Sequence, residues 1–440
     1  MCDAYAMGAY GLFRSTCIPN LVGLGVVVVA AACGSGTSPN TGGTPIKGGS
    51  GSSSGGTLSG GGGETGGSSG GTGGSSGTGG GSGGGSGSGG GAVSPSGGDG
   101  GGMTMPMTFL VDGGADASIG HTCVSADIGP CAAFTTPTGT TIQLGPYGAA
   151  VDVNVGKGYE NTVPSSDQGT QPSAACTSFA DLFMEDPNLT KELLTTSMNG
   201  ITIDFSLYSV YRPVVWPSGP IPVLTWGNGT CAQPEGYGAL LRYVASYGYF
   251  VIAANERQVG TNDTTGMGNA QPMLRALDYA AAANMDSSSP YYQKLDMTKV
   301  GAFGHSQGGA ATVTAASDSR VKNIIIFNAA DTGPKPYLAI SGDMDITGFS
   351  AAGMSQAVNA ASQPAAYLFY HNPAGSSSDA IKGHLVLMLS PERVTGPTVA
   401  WWQWQFRSDA SSKAQFLPSG SCGLCSSSSD YAYGAHSKLQ

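Results

Sequence analysis

From residue 201 onward the apolar positions follow two alternating rhythms. Between Ile201 and Tyr211, Ile203, Phe205 and Leu207 alternate with Thr202, Asp204 and Ser206, the period-two pattern of a half-buried strand. Pro213 and Pro217 bound it. Ile221 to Trp226 is a short continuous apolar run that opens into Gly227-Asn228-Gly229-Thr230 and predicts a buried strand. Gly236 to Tyr247 carries Leu240, Leu241 and Val244 on one helical face and stops at Gly248. Tyr249 to Ala254 is again a buried strand. A polar loop, 255–268, leads to a helix over Gln271–Met285 with Met273, Leu274, Leu277 and Ala281 inward. Further strands are expected at Lys299–Phe303, Asn323–Phe327, Pro336–Ile340 and Ala365–Tyr370, with a Trp-rich helix over Val394–Phe406. Strands alternating with helices predict an α/β fold, a mostly parallel central sheet with helices on both faces. In such sheets the chemistry lies beyond the carboxyl ends of the strands, which selects the loops to search.

The first 200 residues are organised differently. Leu21 to Ala32 is apolar but too short to span a bilayer, and it follows a start with Arg14, so residues 1–33 predict an export signal. It ends Ala30-Ala31-Ala32-Cys33-Gly34, which resembles a bacterial lipoprotein signal in which Cys33 becomes the lipidated first residue; an ordinary cleaved signal peptide is the alternative. The expected destination is the cell surface or outer membrane through that anchor, otherwise the periplasm or the medium. Residues 34–102 are nearly all Gly, Ser and Thr, with too little apolar surface to offset chain entropy, and predict a disordered tether. Residues 103–200 are expected to form an extension packed on a catalytic domain at 201–440. Within that extension Tyr147–Val155 suggests a strand, while 178–184 and 188–198 suggest helices. Six cysteines follow the leader: Cys123, Cys131, Cys176, Cys231, Cys422 and Cys425. An even number in an exported chain reads as a disulfide framework, and one pairing among many joins Cys123–Cys131, Cys422–Cys425 and Cys176–Cys231. The net charge of −10, with no Lys/Arg stripe, argues against nucleic acid as a partner.

Candidate chemistry centres on Val300 to Gly309, an apolar run ending in Gly304-His305-Ser306-Gln307-Gly308-Gly309 and followed by a small-residue segment. G-x-S-x-G at a strand-to-helix junction is a sharp turn that exposes a serine hydroxyl before a helix N-terminus. A serine needs a base, and the base needs an orienting acid. His384, on a loop after the last parallel strand, is the favoured base, with His371 as the alternative. His305 reads as packing. Asp345, just past Gly342, is the favoured acid, with Asp343 as the alternative. Oxyanion donors are assigned to the N–H groups of Gln307 and Thr230, with Asn228 as the alternative to Thr230. Trp226 and Asp331 are candidate cleft residues, Trp226 being more at home in the core. The short connection between the strands near 327 and 336 leaves no room for a cap. Neither metal nor organic cofactor is required, and a monomer is expected.

The order Ser306, Asp345, His384 is that of α/β-hydrolases. Residues 201–425 resemble that superfamily, near its dienelactone-hydrolase, chlorophyllase and bacterial cutinase-like polyester-hydrolase branch. The resemblance rests on Pro222 to Thr230, Tyr243 to Ala254, Gly304 to Gly309 and Gly342 to Asp345. It implies hydrolysis of carboxylic esters, bulky or polymeric ones included, through an acyl-enzyme. Three positions depart from the branch: Gln307 where polyester hydrolases usually carry Met, Asn228 where many relatives carry His, and a longer loop before Gly383-His384.

Overall fold

The computed structural model describes residues 133–136, 139–161, 176, 196–198, 200–257, 269–330, 332–371, 383–417, 423–424, 431–435 and 439. The expected signal and tether, Cys33, Cys123, Cys131, Cys422, Cys425, Asp331 and the helix at 178–184 lie outside these residues, as does most of the helix expected at 188–198.

Nine strands form one sheet: β1 Ala150–Val155, β2 Tyr208–Arg212, β3 Ile221–Gly227, β4 Phe250–Ala254, β5 Leu295–His305, β6 Val321–Phe327, β7 Tyr337–Gly342, β8 Ala365–Tyr370 and β9 Tyr431–Ala435. Their spatial order is β1-β2-β4-β3-β5-β6-β7-β8-β9. The strands from β4 through β8 in that order pair in parallel. β1, β2 and β9 add antiparallel pairs at the two margins. A mostly parallel sheet of this order, with a serine elbow after β5, is the α/β-hydrolase fold.

Alternation along each strand sends neighbouring side chains to opposite faces. On one face Leu224, Trp226, Val251, Phe303, Ile325 and Leu338 meet Leu240, Leu241 and Val244 of helix α1 (Gly238–Ser246). The partner on the other face is a set of Val223, Ile252, Val300, Ile324, Ile326 and Ala339. It meets α2 (Gln271–Met285), α3 (Gln307–Ala315) and α4 (Ala351–Ala360). The Trp-rich helix is α5 (Glu392–Arg407), which buries Trp401, Trp402 and Phe406 against the first face. Each fully buried aliphatic or aromatic side chain contributes roughly 1.5–3 kcal/mol from lost water contact, so the two cores hold the sheet rigid beneath its loops.

Three expectations are corrected. Ile201–Tyr211 is not one strand. The Asp204 carboxylate accepts hydrogen bonds from Ser206 N–H (2.9 Å) and Ser206 Oγ–H (2.6 Å), closing a side-chain-stabilised turn in the middle of the alternating run. Only 208–212 enters the main sheet, while Ile201–Thr202 pairs back with Ser197–Met198, which were expected to be helical. The extension expected over 103–200 contributes a strand to the main sheet. β1 pairs with β2, and Asp152 takes a bidentate contact from Arg212 (2.6 and 3.0 Å) and a hydrogen bond from Tyr291 Oη–H (2.7 Å). The helix expected over 236–247 divides into a 3-10 turn at Pro234–Tyr237 and α1, and Gly248, at φ +86°, takes the left-handed conformation that ends it.

Candidate active site

Ser306 stands between β5 and α3 with φ 54° and ψ −121°, a positive-φ conformation rare for a residue with a side chain. Its N–H donates to Phe327 O at 3.0 Å, so β6 braces the turn. The glycines around it answer to crowding. A Cβ on Gly308 would lie 2.0 Å from Gly227 O and 2.5 Å from Asn228 O, and one on Gly304 would lie 2.3 Å from Gly308 O. The start of α3 thus lies directly against the 227–230 turn after β3.

That turn is built from buried polar contacts. Asn228 Nδ2 donates to Ala254 O (2.7 Å) and Glu256 O (3.0 Å), and its Oδ1 accepts Trp226 Nε1–H (2.9 Å). Asn228 therefore shapes the loop with its side chain, and Trp226 belongs to the core, fully buried against Tyr237 and Phe303. A Cβ on Gly229 would sit 3.4 Å from Ser306 Cβ, so the turn runs alongside the serine. Among the described residues, the Thr230 and Gln307 N–H groups donate to no protein acceptor. Cys231, the next residue, has φ 60° and is bonded to Cys176. One of the three suggested pairings is thus present, and it pins the turn to the chain 55 residues upstream.

Both carboxylate–histidine alternatives exist, as separate pairs. His384 Nδ1 is 2.8 Å from Asp345 Oδ1, with both side chains buried. His371 Nδ1 is 2.8 Å from Asp343 Oδ2, with both about one-third or more exposed (35% and 43%). Met344 between the two acids has φ 60°. The buried pair is the supported one. Asp345 Oδ2 accepts from Asn328 Nδ2 and from Ser341 Oγ–H (2.9 Å), and Oδ1 also accepts Thr347 N–H (2.9 Å). Burial opposes the carboxylate charge, but His384, Asn328 and Thr347 outweigh it and hold the group well below the usual carboxylate range.

The segment carrying His384 is held from both sides. Gly383 has no Cβ because one would lie 2.1 Å from Met344 O. Tyr370 Oη–H donates to Gly383 O (3.0 Å) and accepts from Asn328 Nδ2 (3.1 Å). His305 is not mere packing: its Nε2 lies 2.8 Å from His384 O, its Nδ1 lies 2.9 Å from Tyr237 Oη, and its ring centroid is 4.6 Å from that of His384. Burial first, then the neighbouring His384, pushes the His305 pKa down to about 3. Asn328, Ser341, Tyr370 and Tyr237 escape sequence reasoning. The available signal was modest: Asn328 and Tyr370 lie at the carboxyl ends of strands, and Ser341 is a polar residue inside a buried run.

Residues 235–376 match the model of a family described as PET hydrolase-like. The matched span takes in Ser306 and Asp345 and stops short of Thr230 and His384. No curated protein matches the chain. The fold and the matched segment agree, and over that span the chain is similar to the polyester hydrolases of the α/β-hydrolase superfamily, an ester-cleaving group with a cutinase-like branch.

Proposed function

We propose that the chain is an exported serine hydrolase that cleaves carboxylic esters, bulky or polymeric ones included, through an acyl-enzyme. The observation carrying this reading is the strained Ser306 elbow lying against the 227–230 turn, with His384 held 2.8 Å from a buried, ionised Asp345 on the adjoining loops.

The chemistry follows from which atoms are already committed. Asp345 can only accept, so the imidazole proton it holds is on His384 Nδ1, and Nε2 is left as the base. Nε2 takes the Ser306 proton as Oγ attacks the ester carbonyl carbon. The carbonyl oxygen becomes an oxyanion facing the Gln307 and Thr230 N–H groups, and losing one such donor typically costs about 2.7–4 kcal/mol of barrier. The imidazolium, stabilised by Asp345, returns its proton to the departing alkoxide. Water, deprotonated by the same Nε2, then releases the acid and regenerates Ser306. No step calls for a metal or an organic cofactor.

Export, the tether over 34–102 and membrane attachment only through a lipid on Cys33 complete the proposal, with the enzyme acting as a monomer. Its test is hydrolysis of p-nitrophenyl esters by wild type and Ser306→Ala, with fluorophosphonate labelling and a panel from short-chain esters to a solid polyester. Loss of turnover and of labelling in Ser306→Ala is expected. Undiminished activity of that variant overturns the assignment, and faster turnover of amides or of acyl acceptors redirects it to a peptidase or acyltransferase.

A further inference from the structure

The residue before the nucleophile joins the three loops of the site. His384 O is a carbonyl and can only accept, so the 2.8 Å contact requires the His305 proton on Nε2. His305 Nδ1 then carries a lone pair and must accept, so Tyr237 Oη–H donates to it at 2.9 Å. Having donated its proton, the Tyr237 oxygen accepts Gly229 N–H at 3.1 Å. Every direction is forced, and the result is one chain: Gly229 N–H to Tyr237, Tyr237 to His305, His305 to the main chain of His384. It runs from the turn that precedes Thr230, past Ser306, to the base. His305 and Tyr237 are both buried (1% and 0% exposed), so water does not substitute for either link.

Resting on the serine-esterase reading above, we propose that His305 is a positioning residue that sets the distance between the oxyanion turn and the base by gripping the His384 main chain. A buried imidazole suits this task for a specific reason. It presents a donor and an acceptor at opposite corners of a rigid ring, and here it stays neutral down to about pH 3. It therefore adds no charge beside His384 when that ring becomes the imidazolium. The Asp345 contact orients the His384 ring from one side. The His305 contact fixes the backbone from which the ring projects, and Tyr370 fixes the residue before it. A misplacement of about 1 Å in a reacting group costs on the order of a hundredfold in rate, so such a grip has a kinetic value separate from its contribution to stability.

The test compares His305→Leu, His305→Gln and Tyr237→Phe with wild type and Ser306→Ala on a soluble p-nitrophenyl ester, with kcat, KM and Tm measured for each. Gln carries an amide N–H at nearly the position of Nε2–H and restores the link to His384 O; Leu fills similar space without it. We expect kcat of His305→Leu to fall roughly tenfold or more with KM within about threefold, and His305→Gln to recover to within about threefold of wild type. Tyr237→Phe, which keeps the ring and removes the hydroxyl linking two loops, should also lower kcat at unchanged KM, and it decides the matter if the Leu variant does not fold. Equal kcat for the Leu and Gln variants, or a fall in Tm with kcat unchanged in Leu and Tyr237→Phe alike, overturns the positioning role. An active Ser306→Ala overturns the underlying reading instead, so the two failures are separable.

Discussion

The burial of His305 makes a quantitative statement about acid stability. In the folded chain its pKa is pushed down to about 3 by burial and by the adjacent His384. Once the chain unfolds it returns to about 6.5. The sign follows from proton counting. Between these values the unfolded chain binds a proton that the native one refuses, so stability is complete above about pH 6.5 and declines as the pH falls toward 3. The slope is about 1.4 kcal/mol per pH unit, so this one ring removes about 3 kcal/mol between pH 7 and pH 4.5. Other groups titrate over the same range, and a single acid denaturation curve mixes them all. His305→Gln isolates the effect because its amide does not titrate. Urea unfolding of both proteins at pH 7 and pH 4.5 should show the stability difference moving by about 3 kcal/mol in favour of the Gln variant at the lower pH. A difference that stays constant within about 0.5 kcal/mol would refute the idea that a buried neutral imidazole sits at this position.

Asn328→Ala removes a donor from Asp345 Oδ2 and from Tyr370, and kcat on a soluble ester should fall roughly tenfold, about 1.4 kcal/mol. The same variant should lose less stability than wild type as the pH drops below about 4, because its carboxyl is held less far below the ordinary value; urea unfolding at pH 5 and pH 3 checks this. Gly308→Ala would place a methyl 2.0 Å from Gly227 O, and the cost should be on the order of 3 kcal/mol or more, visible as a lowered urea midpoint or loss of soluble protein. Opening the Cys176–Cys231 bridge, which closes a span of 55 residues, should cost up to about 4 kcal/mol; unfolding with and without a reductant, and of Cys176→Ser, measures it.

The parts of the site that chain order and local pattern announce are those that follow a strand of the parallel sheet with a glycine shortly before them. Ser306 follows Gly304, Asp345 follows Gly342 and His384 follows Gly383, and each glycine admits a backbone or ring that a methyl would block. The supporting residues have no such marker. Asn328, Ser341, Tyr370 and Tyr237 come from four separate elements; Asn328, Tyr370 and Tyr237 have partners 13 to 68 residues away, and Ser341 meets Asp345 across the turn after β7. Only the folded chain reveals that they converge. The same limit explains the misread strand at 201–211. Its alternation was real, but Asp204 prefers a local turn to the ladder, and period-two patterning cannot register that competition. β9 lay beyond reach for a related reason: five residues of mixed size after a serine run carry too little pattern to declare a strand.

The bridge between Cys176 and Cys231 bears on how the enzyme can be produced and trimmed. A chain begun at residue 201 would lack β1 and would carry a free thiol one residue beyond Thr230, open to oxidants and to mispairing. Synthesis in a reducing cytosol would deliver the full chain in the same unlinked state. Shortening for practical use therefore has its safe limit upstream of Cys176 and of β1, and the host compartment is part of the recipe for an active site whose turn is set when the bridge closes.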